Sequence, residues 1–157
     1  MRIEYLADHL EALPVLARWQ HEEWGGLRPG DTLEARTARL GAQVNRDRIP
    51  LTVVALDEAT VLGSASLISE DMDTRPELTP WLASVFVDPA KRRRGIAGQL
   101  VRRIVAEAAR LGVPLLYLYT VHSEKLYARL GWTFQERTTY RESEVVIMTC
   151  EPAKMPP

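Results

Sequence analysis

The chain reads as an α/β protein built on a mixed central sheet, and three observations lead there. The run Trp81 to Val87 is strand-like and stops at Asp88-Pro89, since proline cannot extend a central strand. From Ile96 onward apolar residues recur at helical spacing: Ile96, Leu100 and Ile104, then Val101, Val105 and Ala108. A further apolar run, Leu115 to Tyr119, closes a strand–helix–strand unit, whose connection is expected to be a right-handed parallel crossover. Upstream, Leu51 to Leu56 and Val61 to Ile68 flank the polar turn Asp57-Glu58-Ala59-Thr60 and read as a hairpin. Paired antiparallel strands followed by a parallel crossover make a mixed sheet.

The elements follow in order. A first strand covers Arg2 to Leu6. Asp8 suits the N-cap of a helix running to about Trp24, with Pro14 moving the true start toward Leu13. Gly25-Gly26-Leu27-Arg28-Pro29-Gly30 is a break. Asp31 or Thr32 caps a second helix to about Val44, with Leu33, Leu40 and Val44 on its apolar side. The loop Ser69 to Pro80 carries Glu70, Asp71, Asp73 and Glu77. Ser123 is placed to cap a short helix after the Leu115–Tyr119 strand, and a last strand covers Glu144 to Cys150. The 157 residues suit one core, and residues 1–157 read as a single domain with no repeat or second-domain boundary.

Composition narrows the function. Net charge is −1, so Lys91-Arg92-Arg93-Arg94 is a local basic spot without the wider basic face that nucleic-acid binding needs. One cysteine, Cys150, excludes an internal disulfide; among Val145, Val146, Ile147 and Met148 it suits a small buried residue, the alternative being a nucleophile beside a base. No run approaches membrane-spanning length and the first residues lack a leader pattern, which predicts a cytoplasmic protein with no membrane partner.

The chemistry centres on Arg92-Arg93-Arg94-Gly95-Ile96-Ala97, an R-x-x-G-x-A turn between strand and helix. Unpaired N–H groups of the first helical turn and the positive end of the helix dipole make an anion site suited to a pyrophosphate. The turn is neither a Walker loop nor a G-x-G-x-x-G fingerprint. It resembles the first conserved motif of the GNAT superfamily of N-acetyltransferases. Ser123-Glu124-Lys125-Leu126-Tyr127-Ala128-Arg129-Leu130-Gly131-Trp132 resembles the family's second, a short helix carrying L-Y-x-x-x-G-F/W. The similarity covers about residues 50 to 150.

The resemblance implies a GNAT fold: a mixed sheet of about seven strands flanked by about four helices, with a splayed parallel pair binding acyl-CoA. It implies acetyl-CoA as co-substrate with no metal, and direct acetyl transfer to a primary amine of a small molecule or peptide by a monomer or homodimer. It assigns Val85, Phe86 and Val87 to the pantetheine arm, with an oxyanion donor near Phe86 or Val87. Arg92, Arg93, Arg94, Gly95, Ile96, Ala97 and Gly98 fall to the pyrophosphate, and Tyr127 to the leaving thiolate as its acid. The plain alternative for Tyr127 is packing of the helix on the sheet.

Two departures stand out. Family members often place a glutamate on the fourth or fifth strand, and neither Trp81–Val87 nor Leu115–Thr120 holds a carboxylate. The base is then water or one of Glu70, Asp71, Asp73 and Glu77, and an acyl-CoA-binding module without turnover is the alternative function. An asparagine often found about seven residues before the tyrosine is Thr120 here, and His122 sits nearby. Trp19, His21, Glu22, Trp24 and Leu27, with Trp81 at the opposite strand start, are candidates for an ammonium site or for core packing.

Overall fold

The computed structural model describes residues 1–27 and 29–156. Arg28 of the predicted break and Pro157 at the end of the predicted domain lie outside the described residues. The strands are β1 (Arg2–Tyr5), β2 (Leu51–Asp57), β3 (Thr60–Ile68), β4 (Trp81–Val87), β5 (Leu116–Thr120), β6 (Thr133–Tyr140) and β7 (Ser143–Cys150). The helices are α1 (Leu13–Trp24), α2 (Leu33–Gly41), α3 (Ile96–Arg110) and α4 (Glu124–Arg129). They form one seven-stranded sheet of order β1-β2-β3-β4-β5-β7-β6, in which β4 and β5 are parallel and every other neighbouring pair is antiparallel.

Alternation along the strands divides the core into two faces. On β2, Leu51, Val53 and Ala55 face α3, whereas Val54 and Leu56 face α1 and α2. Nearly the whole strand is therefore apolar and buried, as a strand covered on both sides must be. On β5 and β7, Leu116, Leu118, Val146 and Met148 join the α3 core. Tyr117, Tyr119, Val145 and Ile147 point to the opposite face, where Met72, Leu78 and the fully buried Trp81 cover them. Met72 and Leu78 come from the 69–80 loop and Trp81 from the start of β4, and no helix among the described residues covers this side of β5 and β7. The loop is tied to the closing hairpin by Arg75–Glu136 (2.8 Å) and Arg141–Asp73 (2.9 Å).

Several boundaries differ from the sequence expectation for physical reasons. Leu6 leaves the first strand and enters a short 3-10 turn, Leu6–Asp8, so Asp8 caps no α-helix. A second such turn, Leu10–Ala12, leads into α1 at Leu13, with Pro14 in the first turn where its missing N–H costs nothing. Thr32, not Asp31, caps α2 by accepting the Ala35 N–H at 3.0 Å; Asp31 is engaged elsewhere. The helix ends at Gly41, short of Val44. Ser123 offers no side-chain cap to α4. Its own N–H donates to Thr120 Oγ1 at 2.9 Å, so threonine holds the junction.

Candidate functional site

The parallel strands touch at one end only. Trp81 pairs with Tyr117, whose N–H donates to Pro80 O at 3.0 Å, and no further β4–β5 ladder pair exists among the described residues. Two features move β4 away from β5. A bulge sets Ser84 and Val85 opposite Ala65 alone, with Ser84 at φ +56°, which bends and twists the strand. Beyond it, Gly63 brings β3 so close to β4 that a Cβ there would lie 2.3 Å from Phe86 O. Asp88 N–H donates to Leu62 O at 2.8 Å, so by strand alternation the main-chain N–H and C=O of Phe86 point toward β3 and those of Val87 point to the side away from β3. Val85, in the bulge, borders the gap directly.

The basic turn stands at the wide end of this gap. Asp88 Oδ1 accepts the Ala90 N–H at 3.1 Å and starts the tight turn Pro89–Lys91. Arg92 folds back: its Nε donates to Val87 O at 3.0 Å and its guanidinium lies 5.6 Å from the Phe86 ring centre. Arg93 (φ +66°) and Gly95 (φ +76°) then reverse the chain into α3. Gly95 is the N-cap and brings no side chain to satisfy the helix start. The first helical bond is Gln99 N–H to Gly95 O, so the N–H groups of Ile96, Ala97 and Gly98 have no acceptor in the helix. Arg93 and Arg94 are exposed and have no carboxylate partner among the described residues. A Cβ at Gly95 would meet nothing within 4 Å. The pieces present fit a diphosphate: an open concave backbone, free donors, a helix dipole and two uncommitted cations.

Inside the gap lies a cavity of about 910 Å³. Both edges of the gap line it, Leu82 to Val85 from β4 and Leu118 to Thr120 from β5, together with Tyr127 from α4. Because Tyr127 belongs to the α3 face and Tyr119 and Tyr140 to the other, the cavity passes through the sheet. Tyr127 is 8% exposed, packs edge-on against Trp132, and makes no side-chain hydrogen bond among the described residues. Burial pushes its phenol up to about 12, so it keeps its proton across the physiological range. Cys150, at the end of β7, is buried in the α3 core with its thiol pushed up to about 12 by desolvation; it is a packing residue and no nucleophile.

The opposite wall comes from two helix stripes. Gln20, Glu23, Trp24 and Leu27 follow i, i+3, i+4, i+7, and so do Arg36, Arg39, Leu40 and Gln43. Gln20, Glu23, Arg36, Arg39 and Gln43 were not singled out from sequence. One signal existed: Gln20 continues the buried stripe Leu16 and Ala17 of α1, a polar residue at a core position. Behind this wall the Asp31 carboxylate is completely buried. Arg39 Nη2 donates to its Oδ1 at 2.7 Å, Arg36 Nη2 to its Oδ2 at 3.1 Å, and His21 Nδ1 lies 3.6 Å from Oδ2. Burial pushes that carboxyl up, but the hydrogen bonds from Arg39 and Arg36 outweigh it and hold it below the ordinary range.

The sequence candidates divide accordingly. Trp24 reaches the cavity and meets the Phe86 ring edge-on at 5.8 Å, whereas Trp19 packs between Phe86 and the α1–α2 core. Trp81 is fully buried with its N–H on Leu78 O at 2.6 Å, so it cannot meet an ammonium group. Glu23, one residue on from Glu22, is the acid that faces the cavity. Of the loop acids, Glu70 and Asp71 line it, whereas Asp73 is held by Arg141 and Glu77 by Arg75. His122 stands exposed at the rim.

A family model described as "Acetyltransferase (GNAT) family" matches residues 13–132. The chain belongs to the GNAT acetyltransferase family. No curated protein matches it at the sequence level. Solved structures agree in fold. An aminoglycoside 6'-N-acetyltransferase complexed with coenzyme A superposes with a TM-score of 0.76 at 15% identity, covering 100% of both chains. A putative acetyltransferase from Salmonella typhimurium with its cofactor acetyl-CoA gives 0.72 at 17%, covering 100% of this chain and 96% of that one. A ribosomal-protein-alanine N-acetyltransferase from Brucella melitensis gives 0.73 at 21%, covering 96% and 99%. The seven-stranded mixed sheet with its parallel β4–β5 pair is the GNAT fold. No helix among the described residues is long and apolar enough to cross a membrane, and none of their His, Cys, Asp and Glu side chains cluster to hold a metal.

Proposed function

We propose that residues 1–157 act as one acetyl-CoA-dependent N-acetyltransferase domain that moves an acetyl group directly to a primary amine of a small molecule or peptide. The observation that carries this reading is the through-sheet gap between β4 and β5, with a donor-rich turn at its mouth and the Tyr127 phenol within it. The main chain from Arg93 to Gly98 holds the pyrophosphate, and Arg93 and Arg94 add charge. Arg92 instead braces the turn against Val87. Val85 and Val87 present main chain to the pantetheine arm in the manner of an added strand, and Phe86 supports them through its ring.

When bound, acetyl-CoA supplies the thioester. The chain's own groups do the rest. The Val87 N–H faces the gap and meets the negative charge that develops on the carbonyl oxygen. The Tyr127 hydroxyl serves as acid to the departing sulfur. A phenol near 12 gives its proton to an ordinary thiolate near 8.5 only uphill, by about 5 kcal/mol, so hydrogen-bond donation rather than full transfer carries this step. An acceptor amine of lysine type titrates near 10 and arrives charged. Glu70 or Asp71, directly or through water, takes its ammonium proton and then the second proton that the nitrogen loses as the C–N bond forms and the C–S bond breaks, so the sulfur leaves as a thiolate.

Saturating acetyl-CoA at about 100 times its dissociation constant is expected to add about 2.7 kcal/mol, a melting-temperature rise of about 5–10 °C that dephospho-CoA and ATP do not reproduce. Thiol release with an amine follows, and Tyr127→Phe is expected to lower kcat about 100-fold with the acetyl-CoA shift intact. Unchanged kcat in that variant removes Tyr127 from the mechanism. Binding without thiol release for any amine favours the second reading, an acyl-CoA-binding module, which the lack of any carboxylate on β4 and β5 motivates.

A further inference from the structure

We propose that the acceptor is a primary amine that also carries a carboxylate, held on the helical wall of the cavity by the Gln20 amide and the Arg36 and Arg39 guanidinium groups. The inference rests on the acetyltransferase reading and deepens it.

Gln20 is 3% exposed and borders the cavity, yet its side chain makes no hydrogen bond among the described residues, and its amide nitrogen is wholly shielded. A buried amide without a partner costs about 1–3 kcal/mol, and native structures retain few of them. A helix position between Ala17 and Trp24 would ordinarily hold leucine. Glutamine there, facing a cavity, calls for a polar partner that arrives with the ligand, and the unpaired Nε2 is a donor suited to a carboxylate.

Beside it stand two cations that share one anion. Arg36 and Arg39 each give one nitrogen to a different oxygen of the buried Asp31. Asp31 therefore fixes both arginines on the wall. A guanidinium carries five N–H donors in a planar fork matched to a carboxylate. The wall is thus rich in fixed donors and suits an anionic group that accepts several hydrogen bonds.

Acids line the cavity too: Glu70 and Asp71 come from the loop after β3, and Glu23 stands one turn beyond Gln20 on α1. A plain polycation would match these acids but leave Gln20 and the arginine pair facing positive charge. An acceptor with ammonium and carboxylate groups matches both sets. Such a carboxylate comes either from a free α-amino acid or from the acidic side chain of a peptide N-terminus.

Calorimetry on the protein saturated with CoA tests this without requiring turnover. One arm compares L-leucine with 3-methylbutylamine and L-phenylalanine with phenethylamine. The other compares Asp-Ala-Ala amide with Ala-Ala-Ala amide. We expect the carboxylate-bearing member of at least one arm to bind at least tenfold tighter, and the arm that responds identifies the source. Gln20→Glu, of nearly equal volume, should reverse that preference, and Arg39→Leu should erase it while Arg39→Lys keeps part. The acetyl-CoA thermal shift reports whether each variant folds. Equal affinities within twofold, a preference for the plain amine, or no binding by either carboxylate class below 10 mM (a ceiling of roughly −2.7 kcal/mol) overturns the proposal. Thiol release is then measured with the same probes. Carboxylate preference without release from any of them sinks the transferase reading alone, whereas release from plain amines with no preference sinks this inference alone.

Discussion

On the turn side of the cavity the groups that face a ligand are main-chain N–H groups; on the helical side they are an amide and guanidinium groups. The first wall is made by conformation: a bulge at Ser84, a left-handed residue at Gly95, and an open helix start at Ile96. The second is made by which side chains α1 and α2 turn inward. A backbone wall can keep one ligand across a family while side-chain identity drifts. A side-chain wall changes its ligand whenever a stripe position changes. The contrast is broken most directly by substitutions that disturb backbone without charge, or charge without backbone.

The largest effect is expected at Gly63. A Cβ there would overlap Phe86 O and crowd Val87 Cα at 3.1 Å, and both are backbone atoms that cannot turn aside. Gly63→Val should separate β3 from β4 at the wide end of the gap and cost about 3 kcal/mol. That is a melting-temperature fall of about 6–12 °C. The acetyl-CoA shift should shrink with it, although residue 63 lies outside the turn. A variant that melts normally and keeps the full shift would show that β4 does not need this close approach.

Helix α3 repeats the contrast along its own length. Its N-terminus is bare backbone, while its last turns are tied by side chains. Glu107 accepts from the Tyr5 hydroxyl at 2.6 Å, from Arg110 Nη2 at 2.7 Å and from Arg103 Nε at 3.1 Å, and Arg103 also donates to Ile3 O at 2.7 Å. Burial pushes the Glu107 carboxyl up, but the bonds from Tyr5, Arg110 and Arg103 outweigh it and leave it lowered. A lowered carboxyl contributes stability that is present above its unfolded value, about 4.3, and lost as pH falls below that toward the folded value. Glu107→Gln is expected to cost about 2 kcal/mol at pH 7, less than a fully buried pair because both arginines can turn to water. The gap between variant and parent should narrow below about pH 4.3. Melts at pH 7 and pH 3.5, with the acetyl-CoA shift at pH 7 unchanged, check both halves. A pH-independent difference would mean that shape, not charge, is what Glu107 supplies.

Gly95→Ala probes the turn wall itself. Nothing in the protein blocks the new methyl, so its cost is the left-handed conformation, about 1–2 kcal/mol. That cost falls on the segment that would hold the diphosphate. The acetyl-CoA dissociation constant should rise about tenfold while the melting temperature of the free protein falls by only about 2–8 °C. An unchanged dissociation constant would take the diphosphate away from this turn.

The same contrast explains what could be read from sequence. Strand β4 and the start of α3 lie where expected because proline, glycine and helical apolar spacing are local signals. The parallel crossover followed from them. The bulge did not, because a serine at φ +56° carries no residue-type mark, and neither does Arg93 at φ +66°. Acceptor-side residues were harder still. The expected apolar side of α2 was Leu33, Leu40 and Val44, but Leu33 is exposed and the inward stripe is largely polar. Asp31 looked like a cap and is instead the buried anchor of two arginines, a pairing across five and eight residues that only the packed α1–α2 corner creates. Glu70 and Asp71 could not be told from Asp73 and Glu77 until the loop folded over Trp81.

The smallest effect expected is at Thr32, and it isolates the side-chain wall. Its hydroxyl caps α2 through the Ala35 N–H, and α2 is only 9 residues long, so the first turn has little else to hold it. Thr32→Ala should cost about 1 kcal/mol, or about 2–4 °C. The loss is local: the first turn frays, and Arg36, one turn beyond the cap, loosens on Asp31 while β4, α3 and Tyr127 stay in place. Hydrogen exchange is therefore expected to quicken across residues 33–39 and nowhere along 81–110. Acetyl-CoA should shift the variant as much as the parent, while affinity for a carboxylate-bearing amine falls a few-fold. If the acetyl-CoA shift fell in step, the two walls would be one cooperative unit, and the division between a backbone-built and a side-chain-built half of the site would have to be given up.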